Sequence, residues 1–233
     1  MKPYYFRNRS AFGIALDDVL NSTPWIQVTD ARLECFMSAT TDMYTYGEGR
    51  GVRTYTSVPY SPLVADIQRQ LNLDDIGDCD YGKNPPYEYN VCFLNRYDNA
   101  SMQLGWHADD SPGMDHEHPI AVVSFGEPRE IWWREKGQTG VIPADQRQLL
   151  EHGSIFVMPV GMQRTHQHRI PKGDRLMGTR VSLTYRHYVH VLALKIEDYE
   201  AGIKKVTEGL SLDEVERRYK DMVMNYDADN GDF

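Results

Sequence analysis

The sequence predicts an α+β fold, an antiparallel β core of the sandwich or jelly-roll kind with helices before and after it. Three observations carry this expectation. A chain of 233 residues with 41% hydrophobic and 25% charged residues suits one sizeable core. Between Tyr89 and Tyr188 it breaks into short β-like runs, YNVCFLNRY, IAVVSFG, EIWWRE, GSIFVMPV and TRVSLTYRHY, separated by Gly, Pro, Asp and Asn. Helical spacing shows only outside that stretch. No repeat or low-complexity linker interrupts residues 1–190, which read as one domain, with 191–233 as a helical extension.

Taken in order, a weak helical pattern covers Ala11 to Asn21. A stronger one begins with Ser61 as N-cap and Pro62 in the first turn, and continues with Leu63, Ile67 and Leu71 on one stripe. The five β-like runs follow. In the extension, Ser211 and Glu214 form a capping box, and Leu212, Val215, Tyr219 and Met222 recur at helical spacing. Asp227 to Phe233 reads as an acidic tail.

The formal net charge of −9 argues against a generic polyanion binder. Glu197 to Phe233 holds 11 acidic and 5 basic residues, so most of that excess sits in the extension. The rest is near neutral and leaves room for a local basic groove. No apolar run reaches the roughly 18–20 residues of a membrane helix, and the basic N-terminus lacks the apolar stretch of a secretory signal. Cys35, Cys79 and Cys92 follow no metal-binding spacing and cannot all pair. The expectation is a soluble, cytoplasmic protein, taken as a monomer.

All eight histidines lie between His107 and His190, inside the β-rich region. In Trp106-His107-Ala108-Asp109, residues two apart on an extended segment point the same way, so His107 and Asp109 would present an imidazole and a carboxylate together. Thr165-His166-Gln167-His168-Arg169-Ile170-Pro171 supplies a second imidazole. Two histidines and one carboxylate make the facial triad of non-haem Fe(II) oxygenases. Zinc accepts the same ligands and hydrolyses with a bound water, so ligand identity alone does not choose.

The run Arg180-Val-Ser-Leu-Thr-Tyr-Arg186 does choose. Arg180, Ser182, Thr184 and Arg186 share one face of a strand, and two guanidiniums turned into a β core call for anions. Their backbones stand about 20 Å apart at about 3.3 Å per residue. Long side chains leaning together would close that gap to the length of a small dicarboxylate, which guanidinium pairs well. Asn95 and Tyr97 also share a face, and their amide and phenol suit a carboxylate or keto acid.

In order along the chain, these residues resemble the AlkB-type family of Fe(II)- and 2-oxoglutarate-dependent dioxygenases. The strings are Leu94-Asn95-Arg96-Tyr97, His107-x-Asp109, Pro119-Ile120 leading to Ser124-Phe125-Gly126 and Arg129, His152-Gly153-Ser154, His168-x-Ile170-Pro171, and Arg180-x-Ser182-Leu183-Thr184-x-Arg186. The resemblance spans about Tyr44 to Tyr188. It implies a double-stranded β-helix, with His107, Asp109 and His168 as iron ligands and Asn95, Tyr97, Arg180 and Arg186 around 2-oxoglutarate. It also implies oxidation of a C–H bond by O2, releasing succinate and CO2. On an N-methylated base of DNA or RNA the further product would be formaldehyde.

The segment from Tyr44 to Ser57 resembles the family's nucleotide lid. That resemblance makes Tyr55 the candidate for stacking on a base and Arg50 and Arg53 the candidates for phosphates. Two positions depart from the family pattern. Ser111 stands where nucleic-acid-repairing members carry an acid, four residues after the first histidine, and Ser182 where they often carry Asn. Asp110 is a possible substitute for the missing acid. The departures keep a second expectation open, hydroxylation of a protein side chain, a small molecule or an unmethylated base by the same iron chemistry.

Overall fold

Two β-sheets face each other because the strands that build them alternate between two kinds of neighbour. The computed structural model describes residues 2–6, 13–38, 43–46, 53–73, 89–111, 113–173 and 176–189. The expected C-terminal helix and tail, Arg50 and Cys79 lie outside these residues. The elements are β1 (Tyr4–Phe6), α1 (Leu16–Asn21), β2 (Ile26–Thr29), β3 (Arg32–Ser38), β4 (Met43–Tyr46), β5 (Arg53–Thr56), α2 (Pro62–Leu73), β6 (Val91–Tyr97), β7 (Leu104–His107), β8 (Ile120–Gly126), β9 (Arg129–Glu135), β10 (Arg147–Leu150), β11 (Ser154–Met158), α3 (Met162–Thr165), β12 (His166–Ile170) and β13 (Arg180–Arg186). A seven-stranded sheet runs β1-β11-β8-β13-β6-β3-β2 and a four-stranded sheet runs β10-β9-β12-β7, with β4 and β5 as a separate hairpin. This is the jelly roll expected from the strand pattern.

All five predicted runs form strands, β6, β8, β9, β11 and β13. The strand β13 sits between β8 and β6 and is buried along its whole length. On one face of the large sheet Val181, Leu183 and Tyr185 join Leu94, Val123 and Ile155 in a core closed by α2. There Val64, Ile67 and Leu71 are buried, and Val64 N–H donates to the Ser61 hydroxyl at 3.3 Å, the expected N-cap. Leu63 falls at the flank of that stripe, only partly buried. On the other face Tyr97, Val122 and Phe156 meet Ile131, Trp133 and Ile170 of the small sheet.

The first helix is shorter than the pattern suggests. It begins at Leu16 because Gly13 takes a left-handed φ of 52° and Ala15 is extended, with the Ala15 N–H donating to the Asp18 carboxylate at 3.0 Å. Gly126 is required where it stands. Its φ is 88°, and a Cβ there would come within 2.3 Å of the Thr179 carbonyl oxygen.

Arg129 takes a structural role. Its guanidinium donates to the carbonyls of Asn99 (3.2 Å), Ala100 (3.4 Å), Met102 and Pro171 (3.0 Å), tying two loops to the start of β9. Removal of a buried cation that satisfies several carbonyls costs about 3 kcal/mol. Arg129→Ala is therefore expected to lower the urea midpoint clearly, and an unchanged midpoint would contradict this role. No helix among the described residues is long and apolar enough to cross a membrane.

Candidate active site

The end of the space between the two sheets collects the polar side chains that the two cores leave out. In β7, Leu104 and Trp106 alternate with Gly105 and His107. Opposite, β12 places His168 in register with His107, so the two imidazoles meet with ring centroids 4.1 Å apart. Asp109 follows β7, its N–H donating to the Gln163 side-chain oxygen at 3.0 Å, which holds the carboxylate in place. His107 Nε2 lies 3.9 Å from Asp109 Oδ1 and His168 Nε2 lies 3.9 Å from Asp109 Oδ2. One ligand atom from each residue falls within 4.8 Å of the others. His166, the neighbouring candidate, instead sits with its Nδ1 at 2.7 Å from the Thr165 hydroxyl.

The protonation pattern suits a cation. His107 Nδ1 lies 2.9 Å from the Gly105 carbonyl, so that nitrogen carries the proton and Nε2 presents a lone pair. Burial pushes the Asp109 carboxyl up, but Arg186, His168 and His107 outweigh it and hold the pKa down to about 2. Arg186 donates to Oδ1 at 2.8 Å, while the buried Oδ2 has no hydrogen-bond partner. Two neutral imidazoles and a carboxylate with one unsatisfied oxygen form a donor set that fits a divalent metal.

The histidines carry a testable pH signature. Burial, then the adjacent His107, bring the His168 pKa down to about 3 against the opposing pull of Asp109. The unfolded chain takes up this proton near pH 6.5. Unfolding therefore binds a proton between about pH 6.5 and 3, and stability falls as pH drops through that window. The metal-free protein is expected to lose urea resistance between pH 7 and 5, and His168→Leu to flatten that loss. An unaltered slope in the variant would sink this assignment.

Arg180 is the second anomaly. It is 1% exposed and donates through Nη2 to the Ser124 hydroxyl at 3.0 Å, yet Nε and Nη1 make no hydrogen bond and no carboxylate pairs with it among the described residues. Burial lowers its pKa to about 10, partly offset by the nearby Tyr97 phenol, so it stays charged at neutral pH. Arg180 pairs in register with Tyr97, and Ser182 with Asn95. The Tyr97 hydroxyl, on a fully buried side chain, makes no hydrogen bond of good geometry and has the Arg180 guanidinium as its charged neighbour. An uncompensated buried guanidinium beside the Tyr97 phenol is the cradle a carboxylate would fill.

A narrow cleft is lined by Arg32, Tyr55, Phe93, Asn95, Leu104, His107, Asp109 and Arg186, while Arg180, Tyr97 and His168 are not among its lining residues. It thus unites Asn95, Tyr55 and Arg186 with two of the triad residues. Three liners were not foreseen. Arg32 donates from Nε to the Asn95 amide oxygen at 2.6 Å and pairs with Glu34. In the sequence RLECFMS these charges alternate with apolar residues, which reads as an exposed strand edge. Phe93 and Leu104 carry no polar signal at all.

Tyr55 reaches the cleft but is only 5% exposed, with its hydroxyl donating to Glu34 at 3.0 Å and its ring edge-on to Phe93 at 4.9 Å. It lies on β5 of the hairpin, as does Arg53 by its backbone. Asp110 forms an exposed ion pair with Lys136 at 2.9 Å and does not line the cleft. Ser111 is buried.

Residues 10–186 match the 2OG-Fe(II) oxygenase superfamily. The chain belongs to that superfamily. Its relatives place it among the AlkB-type members. "DNA oxidative demethylase ALKBH2" of Arabidopsis thaliana is 38% identical over 133 residues, 49% of this chain and 42% of the relative. "Alpha-ketoglutarate-dependent dioxygenase alkB homolog 3" of Homo sapiens is 25% identical over 189 residues, 73% of this chain and 59% of the relative. Both alignments cover less than two thirds of the relative's length. A solved structure of OsALKBH1 aligns with a TM-score of 0.45 and 18% identity over 79% of this chain and 97% of the other. Members of this superfamily use Fe(II), 2-oxoglutarate and O2, and the His-Asp-His cluster of this AlkB-type chain is a group that could hold a metal ion.

Proposed function

We propose that residues 1–190 form a dioxygenase that oxidatively demethylates alkylated bases in DNA or RNA. The observation that carries the reading is the convergence of His107, Asp109 and His168 in a chain that also buries an uncompensated Arg180. His107, Asp109 and His168 would hold Fe(II). When bound, iron with 2-oxoglutarate and O2 supplies the oxidant for a C–H bond, and succinate, CO2 and, from an N-methyl group, formaldehyde leave.

The chain's own residues do the rest. Arg180 and Arg186 neutralise the carboxylates of the co-substrate, Asn95 and Tyr97 hydrogen-bond it, and Phe93 and Leu104 keep water from the cleft. Arg32 holds the Asn95 amide oxygen, which turns the Asn95 N–H donors elsewhere. Glu34 fixes the Tyr55 hydroxyl, so the Tyr55 ring forms a rigid wall for a flipped base. Arg50 and Arg53 contact phosphates. The relatives named as demethylases support nucleic acid as the substrate. So does a strip on the small sheet, where Arg134 and Arg169 lie over Trp106 at 4.2 and 5.2 Å and Arg169 and Arg147 over Trp132 at 4.4 Å each. Guanidiniums held this way keep positive charge together despite the acidic total. Two free, buried cysteines, Cys35 and Cys92, support a reducing, cytoplasmic setting.

The test is succinate formation by anaerobically iron-loaded protein exposed to air, with and without an oligonucleotide bearing N1-methyladenine or N3-methylcytosine. Stimulation with loss of the methyl group is expected. Succinate formation indifferent to the oligonucleotide would overturn the substrate and favour hydroxylation of a protein side chain, a small molecule or an unmethylated base, a reading that Ser111 motivates. Tyr55→Ala is expected to raise the oligonucleotide concentration for half-maximal turnover at least tenfold. An equal fall in oligonucleotide-free turnover would make Tyr55 purely structural.

A further inference from the structure

A second group of metal-ligating side chains stands apart from the triad and takes no part in the chemistry proposed above. Asp115, His118 and His187 bring one donor atom each within 4.8 Å of one another. The contacts are closer than that limit. His118 Nδ1 lies 2.6 Å and His187 Nδ1 3.0 Å from the same oxygen, Asp115 Oδ2, and the two nitrogens are 3.2 Å apart. The rings stack obliquely with centroids 4.1 Å apart, and His118 is 5% exposed.

Hydrogen bonding alone serves this triangle poorly. If both rings donate to the carboxylate, two N–H dipoles are set side by side along the third edge. If one ring donates to the other, its bond to the carboxylate is lost. A cation at the centre meets all three lone pairs at once. With metal–ligand bonds of about 2.0–2.2 Å and tetrahedral angles, donor atoms stand about 3.3 Å apart, so of the two Asp115 contacts the one with His118 must lengthen most and the one with His187 slightly. The Asp115 side chain is 20% exposed and has room to turn. Two imidazoles with one carboxylate suit zinc, whereas calcium and magnesium call for more oxygens.

The surroundings are built as a site. The other carboxylate oxygen, Asp115 Oδ1, accepts the Glu117 N–H at 2.8 Å, which aims Oδ2 at the histidines. The backbones that carry the ligands are already joined. Asp115 N–H donates to the His187 carbonyl at 3.0 Å, Val189 N–H to the Gly113 carbonyl at 2.7 Å, and Met114 bridges to Tyr188.

We propose that Asp115, His118 and His187 bind a zinc ion through Oδ2, Nδ1 and Nδ1, with water completing the tetrahedron on the exposed side. The ion clips the loop after Asp109 to the chain leaving β13. Arg186 directly precedes His187, and Arg186 is the partner of Asp109, so the clip secures both arms of that buried pair and the loop that carries Ser111.

Zinc also fits the triad, so the test must separate the two sites. Chelator-stripped protein is titrated with Zn(II) alone, and bound metal and thermal midpoint are read. The unaltered chain is expected to bind two equivalents, and His187→Ala or His118→Ala one. The double variant His107→Ala/His168→Ala is expected to keep one equivalent and a zinc-dependent rise in midpoint. Adding His187→Ala to it should weaken binding at least tenfold and remove the rise. The inference is overturned if the folded double variant binds no zinc, or binds it equally well after His187→Ala. Should the combined variant not fold, X-ray absorption of the zinc-loaded double variant decides. Two imidazoles in a nitrogen and oxygen shell support the site, and one or none sinks it.

Discussion

His107→Ala is expected to reduce 2-oxoglutarate turnover more than 100-fold while leaving the protein folded. Changes one shell out from a metal commonly cost about 10–100-fold, and removal of a ligand itself exceeds that. His107 is a partly exposed ring at the end of β7 whose loss opens little core, so circular dichroism should be unchanged. Asp109→Ala is expected to abolish turnover too, but with a second signature. It leaves Arg186 buried without its 2.8 Å partner, and an uncompensated buried charge costs about 3–5 kcal/mol. The urea midpoint of the metal-free protein should therefore fall far more in Asp109→Ala than in His107→Ala. Turnover that persists in either variant would remove the metal assignment. Equal midpoints would remove the account of Arg186.

Arg180→Met is expected to act with opposite signs on binding and on stability. A charged hydrogen-bonded pair contributes about 1.5–3 kcal/mol, so the 2-oxoglutarate concentration for half-maximal turnover should rise about 10–150-fold. The iron requirement should change little, because Arg180 addresses only the co-substrate. In the absence of 2-oxoglutarate the same guanidinium is buried with no carboxylate beside it, a cost that methionine of similar length removes. Replacement of buried charge by a packed apolar chain can stabilise by about 1–4 kcal/mol. The ligand-free variant should be the more stable protein. Equal loss of iron and 2-oxoglutarate affinity would contradict the role, and so would a lower midpoint in the ligand-free variant.

How much of this was legible from residues alone follows from the range of the interactions involved. Alternation with a period of two is local, so the runs that became β6, β8, β9, β11 and β13 could be read directly. Strands of three or four residues, such as β1, β4, β5 and β10, have too few positions to show a period. Only pairing defines them: β1 lies against β11, far along the chain, β4 and β5 lie against each other, and β10 lies against β9. The helix α2 was announced by Ser61 and Pro62, whereas α1 started late because Gly13 turned the backbone left-handed.

The site divides the same way. His107 and Asp109 are two residues apart, and Arg180 and Arg186 share one strand, so the chemistry of each pair was written in short strings. The family string His168-x-Ile170-Pro171 singled out His168 over His166, and the physical reason for that choice is the register of β12 against β7, which sets His168 opposite His107. Arg32 and Glu34 give no functional signal in the sequence, and only the pairing of β3 with β6 sets Glu34 opposite Asn95. Asp115 and His118 lie 72 and 69 residues from His187 along the chain, and only the crossing of the loop over the end of β13 makes them a cluster. Residue chemistry, strand periodicity and the ordered family strings are legible along the chain, because each string is made of neighbouring positions and their order is the order of the chain. Which charges are buried without a counter-charge and which distant donors converge follows from packing, because burial and convergence exist only once the chain is folded.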